Sequence, residues 1–155
     1  MNELVKLANV IVRAAFKDKT DNAGRPYIIH LTTVANNART YMAYGHSLSD
    51  EDIECVGLLH DLLEDCPDWT EGALRTLFND KIVDAVVALT KKPQSESYEE
   101  YILGVAANPL ARIVKLADLK HNMDITRQKS FDDVNVERLE KYHRAYTTLI
   151  NLTSI

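Results

Sequence analysis

The chain has 155 residues, a formal net charge of −5, and 46% hydrophobic against 26% charged residues. These proportions fit a single globular domain over 1–155 that buries its own core, and they exclude disordered and fibrous classes. Two cysteines, Cys55 and Cys66, are too few and wrongly spaced for a disulfide framework or a CxxC site, so a reducing, cytoplasmic setting is expected. The longest apolar runs fall short of a membrane span, and the N-terminus lacks the basic start of a signal peptide, so neither a membrane nor a secretory role is expected.

Apolar spacing is helical nearly throughout. Leu4, Leu7, Ala8, Ile11, Ala14 and Ala15 predict a first helix from about Leu4 to Phe16. Asp21-Asn22-Ala23-Gly24-Arg25-Pro26 reads as a turn, and Pro26 can open a second helix with Ile29, Thr33 and Val34 inward, ending near Gly45. Ser49 followed by Asp52 predicts a capping box before a third helix, which runs to about Asp65 and stops before Pro67. Thr70 can cap a short fourth helix through Leu74, Leu77 and Phe78, and a fifth covers Ile82 to Leu89. After a loop over 91–96, Ser97 can cap a helix carrying Tyr98, Tyr101, Ile102 and Val105, which Asn108-Pro109 breaks. Another helix runs from Leu110 to about Asn122, a polar loop follows, and the last helix carries Leu139, Tyr142, Tyr146 and Leu149. No segment alternates with period two between hairpin turns, so the class is all-α.

Charge is unevenly placed. No Lys or Arg lies between Arg39 and Arg75, yet nine of the 23 acids do, which leaves 14 acids against 18 bases elsewhere. One segment therefore wants a cation, and the remainder can hold an anion. On a wheel of roughly 100° per residue, His60, Asp61, Glu64 and Asp65 share an arc of about 140°, opposite Leu58, Leu59, Leu62 and Leu63. Carboxylates on successive turns repel unless a proton or a metal sits between them. His30 lies one turn into the second helix, just past Tyr27. Asp118 interrupts the apolar side of the helix that holds Ile113 and Leu116, where an unpaired carboxylate is expensive. Two imidazoles with two carboxylates suit Mn, Fe, Zn or Ni better than Mg. The pI near 5.5 and the absence of a basic stripe with interleaved aromatics argue against a nucleic-acid partner.

His30, His60-Asp61 and Asp118 match the pattern of the HD phosphohydrolase superfamily. The segments 23–30, 58–65, 114–123 and Leu89-Thr90-Lys91 resemble the hydrolase domain of Rel/Spo-type alarmone enzymes and the stand-alone small alarmone hydrolases. The resemblance, from about Leu7 to Tyr146, implies a single-domain bundle of seven to eight helices around one metal, usually Mn²⁺, with Fe, Co, Ni or Zn as other divalent choices. It implies His30, His60, Asp61 and Asp118 as ligands, and Glu64 and Asp65 as the pair that places and deprotonates water. Asn122 would contact the nucleotide sugar, and Arg138 and Tyr142 the phosphate end, with Tyr27 and Lys115 as further substrate contacts. For Tyr142 a core position on the last helix is the other reading, and for Lys115 an exposed side chain.

The implied activity is hydrolysis of the 3′-pyrophosphate of ppGpp or pppGpp, in the stringent response. Three positions depart from the pattern: Asp21-Asn22 stands where the family carries an Arg-Lys pair on the guanine, and Leu31 replaces a proline. Other nucleotides, such as NADPH at its 2′-phosphate or nucleoside phosphates, and a non-catalytic nucleotide-sensing module therefore stay open as alternatives. A nucleotide-synthesis domain or regulatory tail is not expected within this length. The sequence offers no reading of oligomeric state.

Overall fold

Helical periodicity becomes helix throughout the computed structural model, which describes residues 2–44, 48–92 and 96–153. α1 (Glu3–Ala15) starts on the Asn2 side chain, which accepts the Leu4 N–H, and buries Val5, Ala8, Ile11 and Val12. The turn that follows is built by Asp21, whose Oδ1 accepts the N–H groups of Ala23 and Arg25 at 2.9 Å each. Gly24 supplies the left-handed residue this turn needs, at φ 83°. Tyr27 donates its N–H to Lys19 O at 2.9 Å, and Thr20 pairs with Pro26. This pairing holds Pro26 in the turn, so α2 spans Ile28–Ala38 rather than opening at Pro26. His30, Leu31, Val34, Ala35 and Ala38 form its buried face, while Ile29, expected inward, is 45% exposed. With His30 turned inward, a neighbour about 100° around the helix must face out. A 3₁₀ segment, Arg39–Tyr44, continues the helix, and its expected end at Gly45 lies outside the described residues.

The third helix divides in two. α3 (Asp50–Leu59) starts on the Ser49 hydroxyl, which accepts the Asp52 N–H, and α4 (Leu62–Asp65) resumes after a turn at His60-Asp61. On an unbroken helix, adjacent side chains diverge by about 100°. The interruption lets His60 and Asp61 aim at one point. The expected caps at Thr70 and Ser97 form, opening α5 (Glu71–Arg75) and α7 (Tyr98–Ala106), and Asn108, expected only as a break, caps α8 (Pro109–Asn122). Asn79 caps the intervening α6 (Asp80–Ala88). The polar loop holds two short 3₁₀ turns, Ile125–Arg127 and Phe131–Asp133, before α9 (Val136–Thr153).

α2, α3 and α8 pack together at the centre, with Leu31 and Val34, Ile53 and Leu59, and Ile113 and Leu116 fully buried. α2 and α3 approach so closely that a Cβ at Gly57 would lie 2.5 Å from Ala35 Cα. That close approach sets the distance between His30 and the break at His60. Among the described residues, no strand forms and no helix is long and apolar enough to cross a membrane.

Candidate metal centre

Four side chains from three elements meet in the core. His30 Nε2 of α2 lies 3.1 Å from Asp118 Oδ1 of α8 and 3.7 Å from Asp61 Oδ2. His60 Nε2 lies 3.1 Å from Asp61 Oδ2 and 3.4 Å from Asp118 Oδ1. His30 and His60 are each 2% exposed and Asp118 4%. Charges this deeply buried demand compensation.

The His60 ring is oriented by its other nitrogen. Nδ1 lies 2.6 Å from the Gly57 carbonyl oxygen, which can only accept, so Nδ1 carries the hydrogen. Nε2 then faces two carboxylates yet makes no hydrogen bond of acceptable geometry, a buried polar atom without a partner. A cation between the nitrogens and the carboxylates would satisfy it. His30, His60 and Asp61 place ligand atoms within 4.8 Å of one another, so this cluster can hold a metal ion. Its mixed nitrogen and oxygen donors fit a divalent transition metal.

The electrostatics agree. Burial opposes ionisation of Asp61, yet His60 beside it holds the carboxyl down at about 2. Burial also opposes the charge on Asp118, but Lys115 and the two imidazoles keep it well below the usual carboxylate range. In the protein without an ion, the same carboxylates overcome burial and raise His60 well above the usual imidazole range. The cluster draws positive charge inward, whether as protons or as a metal ion.

A second layer braces these groups. Tyr27 donates its hydroxyl to Asp61 Oδ2 at 2.6 Å, and burial, with Asp61, raises its pKa and keeps it protonated. Lys115 Nζ donates to Asp118 Oδ2 at 2.9 Å and lies 5.2 Å above the Tyr101 ring. It is a half-buried counter-charge, not an exposed side chain. Asn122 Nδ2 donates to Asp118 Oδ1 at 2.9 Å. His30 Nδ1 meets His121 Nδ1 at 2.7 Å. The sequence reading assigned His121 no role, although it follows Asp118 by three positions on one helix and so shares its face.

Glu64 and Asp65 differ in their surroundings. Asp65 Oδ2 accepts from Lys19 Nζ at 2.6 Å. Among the described residues Glu64 accepts the Lys91 backbone N–H, at 3.3 Å, and burial followed by Asp61 raises its pKa. A cavity of about 610 Å³ opens beside the centre and brings Tyr27, Asn122, Arg138 and Tyr142 into one lining. Lys115, Glu64 and Asp65 are not part of that lining. Arg127 also lines the cavity. It donates to His121 O at 2.9 Å and Asn122 Oδ1 at 3.3 Å, and its Nη2 lies 3.5 Å from Asp21 Oδ2. It thereby ties the end of α8 to the turn at 21–26.

No protein-family model matches the chain. Curated relatives do. It is 33% identical over 124 residues to the guanosine-3′,5′-bis(diphosphate) 3′-pyrophosphohydrolase of Haemophilus influenzae, covering 74% of this chain and 17% of that protein. It is 31% identical over 134 residues to the GTP pyrophosphokinase of Myxococcus xanthus, covering 78% and 17%. With the Aquifex aeolicus guanosine-3′,5′-bis(diphosphate) 3′-pyrophosphohydrolase it shares 26% identity over 150 residues, covering 90% and 20%. The chain thus spans a fifth or less of the length of these three relatives. A solved structure from work on a metazoan ortholog of SpoT that hydrolyzes ppGpp superposes with a TM-score of 0.75 at 20% identity, over 99% of this chain and 86% of that one. That likeness establishes the fold.

Proposed function

We propose that this chain, an all-α HD-type domain homologous to part of the (p)ppGpp 3′-pyrophosphohydrolases, is a metal-dependent nucleotide phosphohydrolase whose substrate is ppGpp or pppGpp. The observation that carries the reading is the partnerless His60 Nε2, buried among a second imidazole and two carboxylates. His30, His60, Asp61 and Asp118 would hold the ion, with Mn²⁺ as the proposed species. When bound, a divalent ion supplies Lewis-acid activation of water near neutral pH and offsets phosphate charge.

The chain's own residues supply the rest. Glu64 has a raised pKa and, among the described residues, forms no salt bridge, which suits it to take a proton from the attacking water. Asp65, pinned by Lys19, orients that water. The water oxygen forms its bond to the phosphorus on O3′ as the O3′–P bond breaks, giving GDP or GTP and pyrophosphate. Tyr27 and Lys115 hold Asp61 and Asp118 in place, as the bonds they already make indicate. Arg138, Tyr142 and Asn122 would line the nucleotide side of the pocket.

Asp21 favours a second substrate reading. Its carboxylate is occupied by the turn's own N–H groups, leaving no cation at 21–22 to grip a purine. A nucleotide recognised mainly through its phosphates, such as NADPH at the 2′-phosphate, would also fit. The test is a Mn²⁺-supplemented panel of ppGpp, pppGpp, NADPH and nucleoside mono- and triphosphates, with products resolved by chromatography. Release of pyrophosphate from ppGpp is expected. Consumption of another nucleotide while ppGpp survives would leave the phosphohydrolase and remove the alarmone, and saturable binding without product under Mn²⁺, Co²⁺ and Mg²⁺ would identify a sensor.

A further inference from the structure

We propose that His121 is a positioning residue for the metal centre: its Nδ1 accepts the Nδ1–H of His30 and so presents the His30 Nε2 lone pair to the ion. The inference rests on the metal reading above and adds a residue that neither the sequence motifs nor that reading assigns.

The two histidines of the centre are oriented by different means. His60 is held by a backbone carbonyl, which accepts and can do nothing else. His30 has no such anchor. Its Nε2 faces Asp118 and Asp61, and its Nδ1 meets the Nδ1 of another imidazole at 2.7 Å, with the two rings only 14° from parallel. At that distance one nitrogen must donate and the other accept. For His30 to coordinate through Nε2 as a neutral imidazole, its hydrogen must sit on Nδ1, and the acceptor is then His121. Outer-sphere acceptors of this kind fix the tautomer and raise the basicity of a ligating imidazole.

His121 is itself held for the task. It sits on α8, one turn beyond Asp118, and its carbonyl accepts from Arg127, which also reaches Asp21.

The test compares His121→Leu with His121→Asn, because the Asn Oδ1 occupies the place of the ring Nδ1 and can accept while the leucine cannot. Mn²⁺ affinity is read by titration calorimetry, alongside thermal unfolding in chelator. H121L is expected to bind Mn²⁺ about 10- to 100-fold more weakly than wild type. Its metal-free unfolding reports what leaving the His30 Nδ1–H unpaired costs the fold, separately from the metal, and H121N should recover most of the affinity. Equal Mn²⁺ affinity in wild type and H121L overturns the inference while leaving the metal centre intact. An H121N no better than H121L also overturns it. Wild-type protein that binds no divalent ion overturns the metal reading itself. If H121L does not fold, ¹⁵N spectra of histidine-labelled, Zn²⁺-loaded wild type decide the matter. The expected pattern is an unprotonated His121 Nδ1 with a protonated His30 Nδ1, and the reverse pattern refutes the assignment.

Discussion

The metal centre and the cavity beside it are built on opposite principles. Each of the four proposed ligands comes from the packed core or from the break that ends α3, and three of them are almost sealed from solvent. The cavity draws much of its lining from the turn at 21–23 and the loop at 124–135, together with Arg138, Leu139 and Tyr142 of α9. A rigid crossing of α2, α3 and α8 fixes the chemistry, while loops choose what reaches it. Changes in the first region should therefore be all-or-none, and changes in the second graded.

The largest effects belong to the core. His60→Ala or Asp61→Ala should abolish both metal binding and turnover, measured by metal analysis and product formation. Glu64→Gln should retain the ion and lose about 10²- to 10⁴-fold in kcat, the usual worth of a positioned general base. The pH profile sharpens this assignment. The base must be ionised, so rate falls as pH drops through its pKa, and burial of Glu64 moves that acid limb upward. E64Q should lose the limb as well as the rate.

Gly57→Ala tests the crossing itself. The added Cβ would lie 2.5 Å from Ala35 Cα, so the helices must separate, and overpacking of this kind costs about 1–3 kcal/mol. Denaturant unfolding would measure it, and weakened metal affinity in the folded fraction should accompany it. The smallest effect is expected on the cavity side. Arg138 is exposed, so Arg138→Ala should raise KM about tenfold, ~1.4 kcal/mol, with kcat nearly unchanged. An R138A variant that instead lost its metal would contradict the division between the two regions.

The same division explains what could be read from the sequence. Asp118 stood out because an acid interrupts an apolar helical face, where burial without a partner is prohibitive, and His60 and Asp61 because they share an acidic arc that lacks a base, while His30 was picked out by the family pattern. The caps at Ser49, Thr70 and Ser97 were legible because side-chain acceptors at helix starts follow a local rule. The break at His60-Asp61 was not, since the wheel assumes an unbroken helix and the interruption comes from tertiary contacts. Lys115 was read as exposed or phosphate-binding because its partner Asp118 and the Tyr101 ring meet it only in the fold. The tie from Arg127 to Asp21 joins positions far apart in sequence, and no periodicity reports it.

The most direct test of the central claim is the metal content of protein purified without chelator, measured with its hydrolytic rate before and after chelation. The account predicts about one divalent transition-metal ion per chain, loss of ppGpp hydrolysis on chelation, and recovery with Mn²⁺. A protein that stays fully active with no bound metal would contradict it.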